Sequence, residues 1–501
     1  MNSLLRPRVL LVAIIFLGLP WVQPFVMGPT PSVGQWLLVW SGALVWCALA
    51  LVDGLGRDEM DEVFARVWVV AASLSAGAGL LQYFGLAQFA GPWINSADIG
   101  QAFANLRQRN QLATLLAIGI AAWMYLETEN VRPRQLTLAV RVCGALVLAA
   151  AAAATGSRTG FFQLLLLALL ACWWGRKSIV LQTTGVCYLV AAWLLPLLAG
   201  LDPLASGILG RVAESGTACA SRLILWSNVL HLIAQKPWFG WGWGELDYAH
   251  FITLYPGERF CEILDNAHNL PLHLAVELGI PVAAAICGLC AWLVWRNKPW
   301  AETDPTRQLA WGVLAVIGLH SMLEYPLWYG PFQLAVVLCI WLLWRGSDAH
   351  ADFAQGPQLQ SSVLARAGTS AAAVTLLACC VYAAWDYWSI SQIYLPPTAR
   401  NAAYKEDTLA KIQGSRLFRD QVQFAELTTT PLDKDNAAHI NMLAKAMLHF
   451  SPEPRVVEKV IESAVMLNQD DEALFYLQRY KAAFPAQHTR WSAALKVPKQ
   501  D

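Results

Sequence analysis

A short run of polar residues, Asp-Asn-Ala-His-Asn at positions 265–269, directly precedes a long apolar segment. A free imidazole titrates at about pH 6.5, so His268 can accept a proton from an attacking hydroxyl at neutral pH. If the helix begins near Asn266, His268 lies in its first turn. Asp265 either orients the imidazole or caps the helix. We therefore predict His268 as a general base, assisted by Asp265, with Asn269 contacting substrate; the alternative is an interfacial histidine without a chemical role.

Four arginines lie close to the ends of apolar segments: Arg107, Arg109, Arg158 and Arg222. A guanidinium is always charged, and its donors match the oxygens of a phosphate. Each arginine alone is explained by a side chain that extends to lipid headgroups. Four together predict an anion site, most simply for a lipid-linked phosphate or diphosphate. Because Arg107 and Arg109 are two residues apart, a helix would direct them differently, so they need not share a role.

The segment His-Ser-Met-Leu-Glu-Tyr-Pro-Leu-Trp-Tyr-Gly-Pro-Phe, residues 320–332, combines a carboxylate with aromatic rings. His320 and Glu324 are four residues apart and share one helix face. Glu324 is expected to be a second base, an orienter of a basic residue or an acceptor for sugar hydroxyls. Tyr325 and Trp328 either contact the sugar or belong to an interfacial aromatic belt.

Two further pairs of residues bear on structure rather than on chemistry. Glu277 lies nine residues after His268, about 180° around a helix, so the two cannot share a face. It lies four residues after His273, which predicts a buried structural pair. Cys219 and Cys261 are expected on the oxidising side of the membrane, where they either form a disulfide or remain free thiols.

The segments that must position these residues are apolar and of membrane-spanning length. The chain has 501 residues, of which 56% are hydrophobic and 14% charged, against roughly 25% charged in soluble proteins. Runs of about 20 apolar residues can cross a hydrocarbon core of about 30 Å. We predict an all-α polytopic membrane protein with about eleven transmembrane helices. The predicted spans are residues 9–27, 35–52, 64–88, 111–126, 136–154, 160–174, 178–199, 271–295, 308–323, 331–345 and 369–388.

Basic residues in the connections predict the orientation. With the N-terminus in the cytoplasm, most lysines and arginines between spans fall on the cytoplasmic side, and the opposite short loops 28–34 and 324–330 contain none. This is the distribution that the positive-inside rule describes. The four arginines above and the 265–269 cluster then lie on the external side. The formal net charge is zero, so nothing indicates a nucleic-acid partner.

The span positions divide the chain into four parts. We expect seven transmembrane helices in residues 1–199, a large periplasmic loop at 200–270, four more transmembrane helices in 271–388 and a soluble periplasmic helical domain at 389–501. Apolar spacing in residues 222–234 predicts a helix resting on the membrane surface. The tail has a tetratricopeptide-like helical pattern without the full consensus.

No motif for a nucleotide or a metal occurs where it could work. The DxD, HExxH, Walker-type and GxSxG patterns are all missing from suitable positions, so no cofactor and no metal site are predicted. A reaction on a preactivated lipid diphosphate outside the cell requires neither ATP nor a nucleotide sugar.

Several segments together resemble the bacterial protein O-oligosaccharyltransferases of the PglL type, which belong to the O-antigen ligase and polymerase superfamily. The similarity extends over nearly the whole chain, from about Gln82. The segments that carry it are NLRQRNQLATLL, TGSRTG, SRLILW, KPWFGWGWGELDYAHF, DNAHNLPLHLAVELGIP and LHSMLEYPLWYGPFQ, with AAWDYWSISQIY and YLQRYKAAFPAQHTRW in the tail.

The resemblance implies en bloc transfer of a preassembled glycan from undecaprenyl diphosphate to Ser or Thr hydroxyls of periplasmic proteins such as type IV pilin. It implies a metal-independent glycosyltransferase of the bacterial inner membrane with its active site facing the periplasm, and a single displacement by the acceptor hydroxyl would make it inverting. It assigns the essential histidine to His268 and diphosphate binding to Arg158 and Arg222. Arg109 and Arg107 are weaker candidates, because the Arg-Gln-Arg-Asn sequence departs from the commoner form.

Two alternatives remain open at this point. Within the superfamily, the acceptor distinguishes this function from that of a lipopolysaccharide O-antigen ligase or a polymerase. From a different class, the chain could transport the lipid-linked glycan. Charged residues gathered at one end of the bundle argue against transport, since transporters usually bind substrate near the bilayer midplane between internal repeats.

Overall fold

The computed structural model describes residues 7–25, 28–53, 57–128, 138–208, 219, 221–345 and 363–495. Helices dominate these ranges and no strand occurs within them. Each of the eleven predicted apolar segments coincides with helical structure, which confirms a helical membrane protein. The chain divides into two compact units, residues 1–214 with 294–384, and residues 215–293 with 385–501.

The first unit is a helical bundle. A helix in its core, α5, has nearly every side chain buried from Gln111 to Leu126. Small residues permit close packing in this core, since a Cβ added at Gly119 would lie 2.4 Å from the Cβ of Ala72. Its helices within residues 1–214 are α1 Pro7–Ala13, α2 Leu19–Val22, α3 Pro31–Asp53, α4 Arg57–Tyr83, α5 Arg109–Leu126, α6 Leu138–Ala154, α7 Arg158–Trp173 and α8 Ile179–Leu198.

Apolar helices of membrane-spanning length occur in the described ranges. Four are long and apolar enough to cross a bilayer: Glu59–Tyr83, Ile179–Leu198, Ile280–Ala301 and Ala371–Tyr394. Shorter apolar helices are Arg8–Val22, Ser32–Cys47, Leu138–Ala154, Arg158–Trp173 and Gly330–Arg345.

The second unit contains three helices from the large loop and six from the tail. The loop helices are α9 Arg222–Gln235, α10 Leu246–Ile252 and α11 Leu270–Leu278. Next along the chain, α13 Pro305–Ser321 and α14 Gly330–Arg345 belong to the first unit, and α12 Ile280–Asn297 and α15 Val363–Ser391 each contain residues of both units. The tail contains α16 Thr408–Ile412, α17 Arg419–Thr429, α18 Ala437–Leu448, α19 Pro454–Met466, α20 Asp470–Ala483 and α21 Pro485–Leu495.

The eighth predicted span, residues 271–295, is wrong as a single helix. Helix α11 ends at Leu278 and α12 begins at Ile280. Gly279 between them has φ +85°, and a Cβ there would lie 2.2 Å from the carbonyl oxygen of Trp238. Only glycine fits that position. Pro281 then lies in the first turn of α12, where its missing N–H breaks no hydrogen bond.

Helix α9 is amphipathic as expected, but its apolar face packs inside the protein. Leu225, Val229, Leu232 and Ile233 are all at least 90% buried. They form a hydrophobic core, the loop core, with Leu246, Ala249, Phe260, Leu264, Ala267 and Val276. Leu223 and Leu230 of the same helix are 77% and 55% exposed, so a helix that rests on the membrane surface through these residues stays a prediction.

Helix α10 contributes to two hydrophobic cores. Leu246 and Ala249 belong to the loop core, whereas Phe251 is 2% exposed within the core of the tail helices. Arg479 Nε of α20 donates a hydrogen bond to the carbonyl of Ile252 at 2.8 Å. The loop and the tail are thus joined through one seven-residue helix.

Candidate active site

His268 lies in an irregular turn immediately before α11. Its backbone has φ +49°, and its amide donates to Asn266 Oδ1 at 2.9 Å. Asn269 caps α11 by accepting from Leu272 N at 3.1 Å. Placing His268 in the first helical turn, and Asp265 as the cap, is therefore wrong. Asn269 caps the first turn of α11, and Pro271, two residues later, has no N–H that needs a partner. Both features favour a helix that starts at this point.

Helix α9 supports the turn from one side. Trp226 Nε1 donates to the carbonyl of Ala267 at 3.1 Å, directly before His268. Asn228 is 3% exposed, accepts from Phe260 N at 2.8 Å and donates to the carbonyl of Glu258 at 2.9 Å. These contacts fix the backbone on both sides of the loop that leads to the histidine.

The carboxyl group of Asp265 interacts electrostatically with His268, and the carboxyl group of Asp247 interacts with that of Asp265. Burial raises the pKa of Asp247 to about 7, and the charges of Asp265 and Glu245 act in the same direction. The surrounding protein also raises the pKa of Asp265, although that residue is partly open to solvent, and the charge of His268 opposes this shift.

The buried pair predicted from the spacing of His273 and Glu277 is confirmed. His273 Nε2 lies 3.4 Å from Glu277 Oε2, and each side chain is 2% exposed. The two side chains therefore form a buried contact between neighbouring turns of α11.

Arg158 and Arg222 occupy equivalent positions in two different helices. Each is the first residue of its helix, α7 or α9, and each follows a capping serine, Ser157 or Ser221. The serine oxygens accept from the third amide of the helix at 2.9 and 3.3 Å. A helix N-terminus carries a partial positive charge, so a guanidinium in the first turn reinforces a preference for anions.

Glu324 is a buried carboxylate held by two amides. It is 5% exposed and accepts from Asn110 Nδ2 at 3.1 Å and from Gln108 Nε2 at 3.4 Å. The predicted proximity of His320 and Glu324 is seen in the backbone, where Glu324 N donates to His320 O at 2.8 Å. His320 Nδ1 lies 2.9 Å from Thr114 Oγ1. Of the roles expected for Glu324, this setting favours an orienting one.

The remaining candidates have distinct surroundings. Arg107 has φ +63° and donates to the carbonyl of Pro24 at 3.0 Å, which ties two loops together. Arg109 is the first residue of α5. Tyr325 and Trp328 are half-buried around the 3₁₀ turn at Pro326–Trp328.

The candidate residues fall into two groups. Arg222, Asp265, His268 and Asn269 belong to the second unit, which brings the last three together before α11. Arg107, Arg109, Arg158, Glu324, Tyr325 and Trp328 belong to the first unit.

Two residues with polar roles are absent from the sequence-based candidates, Asn110 and Ser157. Ser157 Oγ donates to Asn110 Oδ1 at 2.6 Å, which joins the start of α7 to the Glu324 carboxylate. A serine directly before an apolar helix is a capping signal that could have identified Ser157. Nothing in the sequence indicates that Asn110 would be its partner.

Comparison with known families places all candidate residues within matched regions. Residues 102–126 match a family described as protein glycosylation ligase, and residues 143–287 match the O-antigen ligase family. Residues 308–497 match the C-terminal region of virulence factor membrane-bound polymerases. Together these matches support a PglL-type protein of the O-antigen ligase superfamily. The family resemblance seen in the sequence is thereby confirmed.

Two relatives of this chain come from Acinetobacter baylyi. One, named general O-oligosaccharyltransferase, is 25% identical over 355 residues, covering 66% of this chain and 60% of the relative. The other, named ComP-specific O-oligosaccharyltransferase, is 24% identical over 284 residues, covering 56% of this chain and 50% of the relative. The matches thus span half to three-fifths of the relatives' lengths.

Proposed function

We propose that this chain is a glycosyltransferase that moves a preassembled glycan from undecaprenyl diphosphate to Ser or Thr hydroxyls of a periplasmic protein such as type IV pilin. The names of the two relatives support a protein acceptor. The structural observation that carries the proposal is the fixed turn of His268, with a left-handed backbone held by Asn266 and Asn269 next to the Asp265 carboxylate.

In the proposed reaction, the acceptor hydroxyl attacks the anomeric carbon and His268 takes its proton. The new bond joins the hydroxyl oxygen to that carbon, and the bond from the carbon to the diphosphate oxygen breaks. The diphosphate leaves with the bonding electrons, so negative charge grows on it in the transition state. Arg158 and Arg222 bind that charge. A single displacement inverts the anomeric configuration.

Supporting roles follow from the surroundings of the other candidates. Asp265 stabilises the imidazolium that forms at His268. Glu324, held by two amides, orients neighbouring groups rather than taking the proton. Asn269, Tyr325 and Trp328 are proposed contacts to acceptor or sugar. Arg109 is a secondary diphosphate contact, and Arg107 a weaker one because its guanidinium already binds a backbone carbonyl.

We propose eleven transmembrane helices in the bacterial inner membrane, with the site and the tail in the periplasm. The disulfide between Cys219 and Cys261, whose Cα atoms are 5.4 Å apart, supports this orientation. Disulfides form in the periplasm and are rare in the cytosol.

The test is transfer by the purified chain in lipid nanodiscs, supplied with glycosylated undecaprenyl diphosphate and pilin. Wild type should shift the pilin band, and His268→Ala should reduce the rate by roughly 100-fold or more. His439→Ala is the control, because that histidine is more than half exposed in the tail. Near-wild-type transfer by His268→Ala would rule out the base assignment.

Other outcomes identify the competing functions. Glycan transfer to lipopolysaccharide core and not to pilin would indicate an O-antigen ligase. Lengthening of the lipid-linked glycan would indicate a polymerase. Movement of the glycan across the bilayer without transfer would indicate a transporter. Cysteine cross-linking between positions 158 and 268 tests whether the two groups of residues form one site.

A further inference from the structure

A directional chain of hydrogen bonds connects the buried Glu324 carboxylate to the start of helix α7. Asn110 Nδ2 donates to Glu324 Oε1 at 3.1 Å, and Ser157 Oγ donates to Asn110 Oδ1 at 2.6 Å. The amide of Gly160 completes the chain by donating to Ser157 Oγ at 2.9 Å. Glu324 is 5% exposed and Ser157 is fully buried.

The chemistry of the partners fixes the direction of this chain. Asn110 turns its amide nitrogen, which donates, toward Glu324 and its amide oxygen, which accepts, toward Ser157. Ser157 has one hydroxyl proton, which goes to Asn110 and leaves the oxygen lone pairs for the helix amide. Each donor polarises the next in a water-poor interior, which strengthens the chain as a whole.

The backbone of Asn110 is held as firmly as its side chain. Thr114 Oγ1 donates to the Asn110 carbonyl at 2.8 Å. Gln163 Nε2, from α7, donates to Thr114 Oγ1 at 2.8 Å and to the carbonyl of Val316 at 3.1 Å. Helices α5, α7 and α13 are therefore joined by polar contacts directly below the start of α7.

Arg158 projects from the end of this chain. Its neighbours Ser157 and Thr159 are 0% and 5% exposed, whereas Arg158 itself is exposed. Gly156 has φ +57°, and a Cβ there would lie 3.2 Å from the backbone of Gly207. Several contacts thus hold the backbone turn before Arg158 in place. They define the position from which the Arg158 side chain extends.

We propose that Asn110 is a positioning residue for donor binding, which acts through Ser157 to fix the turn from which Arg158 reaches the lipid diphosphate. This proposal rests on the proposed function, in which Arg158 binds that diphosphate. A mobile arginine must lose conformational freedom when it binds, whereas a fixed turn removes part of that cost in advance.

The same bundle contains a matched site without an arginine. Ser178 caps α8 by accepting from Leu181 N at 3.1 Å, and its hydroxyl donates to the Glu127 carboxylate. The residue that follows the cap is Ile179. Ser178→Ala therefore removes a serine cap that is bonded to a carboxylate, just as Ser157→Ala removes one that is linked to a carboxylate through Asn110, but no arginine follows it.

The experiment is a double-mutant cycle on donor affinity. Wild type, Asn110→Ala, Arg158→Ala and the double variant are compared in nanodiscs for binding of undecaprenyl diphosphate, with the donor KM, acceptor KM and kcat of transfer. Asn110→Ala should weaken lipid binding roughly 10-fold, as expected for loss of a hydrogen bond to a charged group. The same change in the Arg158→Ala background should weaken it less than about 2-fold.

Two controls separate positioning from plain destabilisation. Ser178→Ala should lower the unfolding temperature about as much as Asn110→Ala but leave lipid affinity unchanged. Ser157→Thr keeps the hydroxyl and a good cap, so it should retain affinity that Ser157→Ala loses. The donor KM should change while the acceptor KM does not.

The outcomes distinguish the inference from the proposed function. If wild type binds the lipid and transfers glycan but the two substitutions are additive, the positioning role is wrong and the function stands. If wild type neither binds the lipid diphosphate nor transfers glycan, the proposed function and this inference both fail. If wild type binds but does not transfer, a non-additive cycle still supports the positioning role.

Discussion

Two glycines on the approach to the site have similar backbone angles but very different surroundings. Gly240 has φ +69°, and a Cβ there would lie 2.3 Å from the carbonyl carbon and oxygen of Glu277. Gly244 has φ +78°, yet no heavy atom lies within 4 Å of the position its Cβ would take. Gly244→Ala therefore introduces backbone strain alone, whereas Gly240→Ala introduces both backbone strain and steric overlap.

The expected magnitudes follow from these distances. Alanine in a left-handed conformation costs about 1–2 kcal/mol, which is the whole effect expected for Gly244→Ala. Gly240→Ala adds an overlap with backbone, which cannot rotate away, at about 1–3 kcal/mol. The displaced segment also carries hydrogen bonds from Trp241 N to Val276 O at 2.8 Å and from Gly242 N to Glu277 O at 3.0 Å.

The assay is thermal unfolding of both variants in detergent, with glycan transfer measured on the same preparations. Gly240→Ala should lower the free energy of unfolding of the loop and tail unit by about 2–5 kcal/mol. It should also reduce transfer more than Gly244→Ala, because it displaces the helix that follows His268. Equal unfolding temperatures for the two variants would refute the assignment of a close backbone contact.

Three further changes give independent tests of the second unit. Phe251→Ala should lower the free energy of unfolding by about 3–5 kcal/mol and make the loop and the tail sensitive to protease together. Phe239→Ala should do neither, because the Phe239 side chain is 90% exposed. Cys261→Ser removes a disulfide between residues 42 positions apart. In thermal unfolding, this change should lower the free energy of unfolding by about 4 kcal/mol. Cys287→Ser is the control, because Cys287 is a free thiol. Asp247 has a native pKa of about 7, above the ordinary 3.8, so the folded state holds its proton more tightly. The free energy of unfolding should therefore fall as pH rises from about 4 to about 7, and Asp247→Asn should reduce that slope in unfolding measured across this range; an unchanged slope would contradict the assignment.

Helical segments were the most predictable part of the fold, because hydrophobicity over a whole segment decides them. The exception, the span at 271–295, depends on a single residue, Gly279, whose need for a left-handed backbone arises only from the carbonyl of Trp238 far away in sequence. Periodicity in α9 correctly indicated an apolar face. It could not tell whether lipid or protein covers that face, since both are equally apolar.

The candidate site shows the same division. Residue type alone indicated which side chains can accept a proton or bind phosphate, and the spacing of His273 and Glu277 predicted their contact. The start of α11 was misplaced because Asn266 and Asn269 are both good caps and only the structure shows which is used. The contact of Asn110 with Glu324 joins residues 214 positions apart, and no local pattern encodes such a pair.

Helix α10 sets an order of events during biosynthesis. Phe251 packs against the ring of Phe484, about 230 residues later in the chain. At a synthesis rate of about 5–20 residues per second, the loop emerges tens of seconds before its partner exists. Until then one side of α10 is an uncovered apolar surface outside the bilayer. We therefore expect nascent chains that stop before the tail to be substrates for proteases and chaperones.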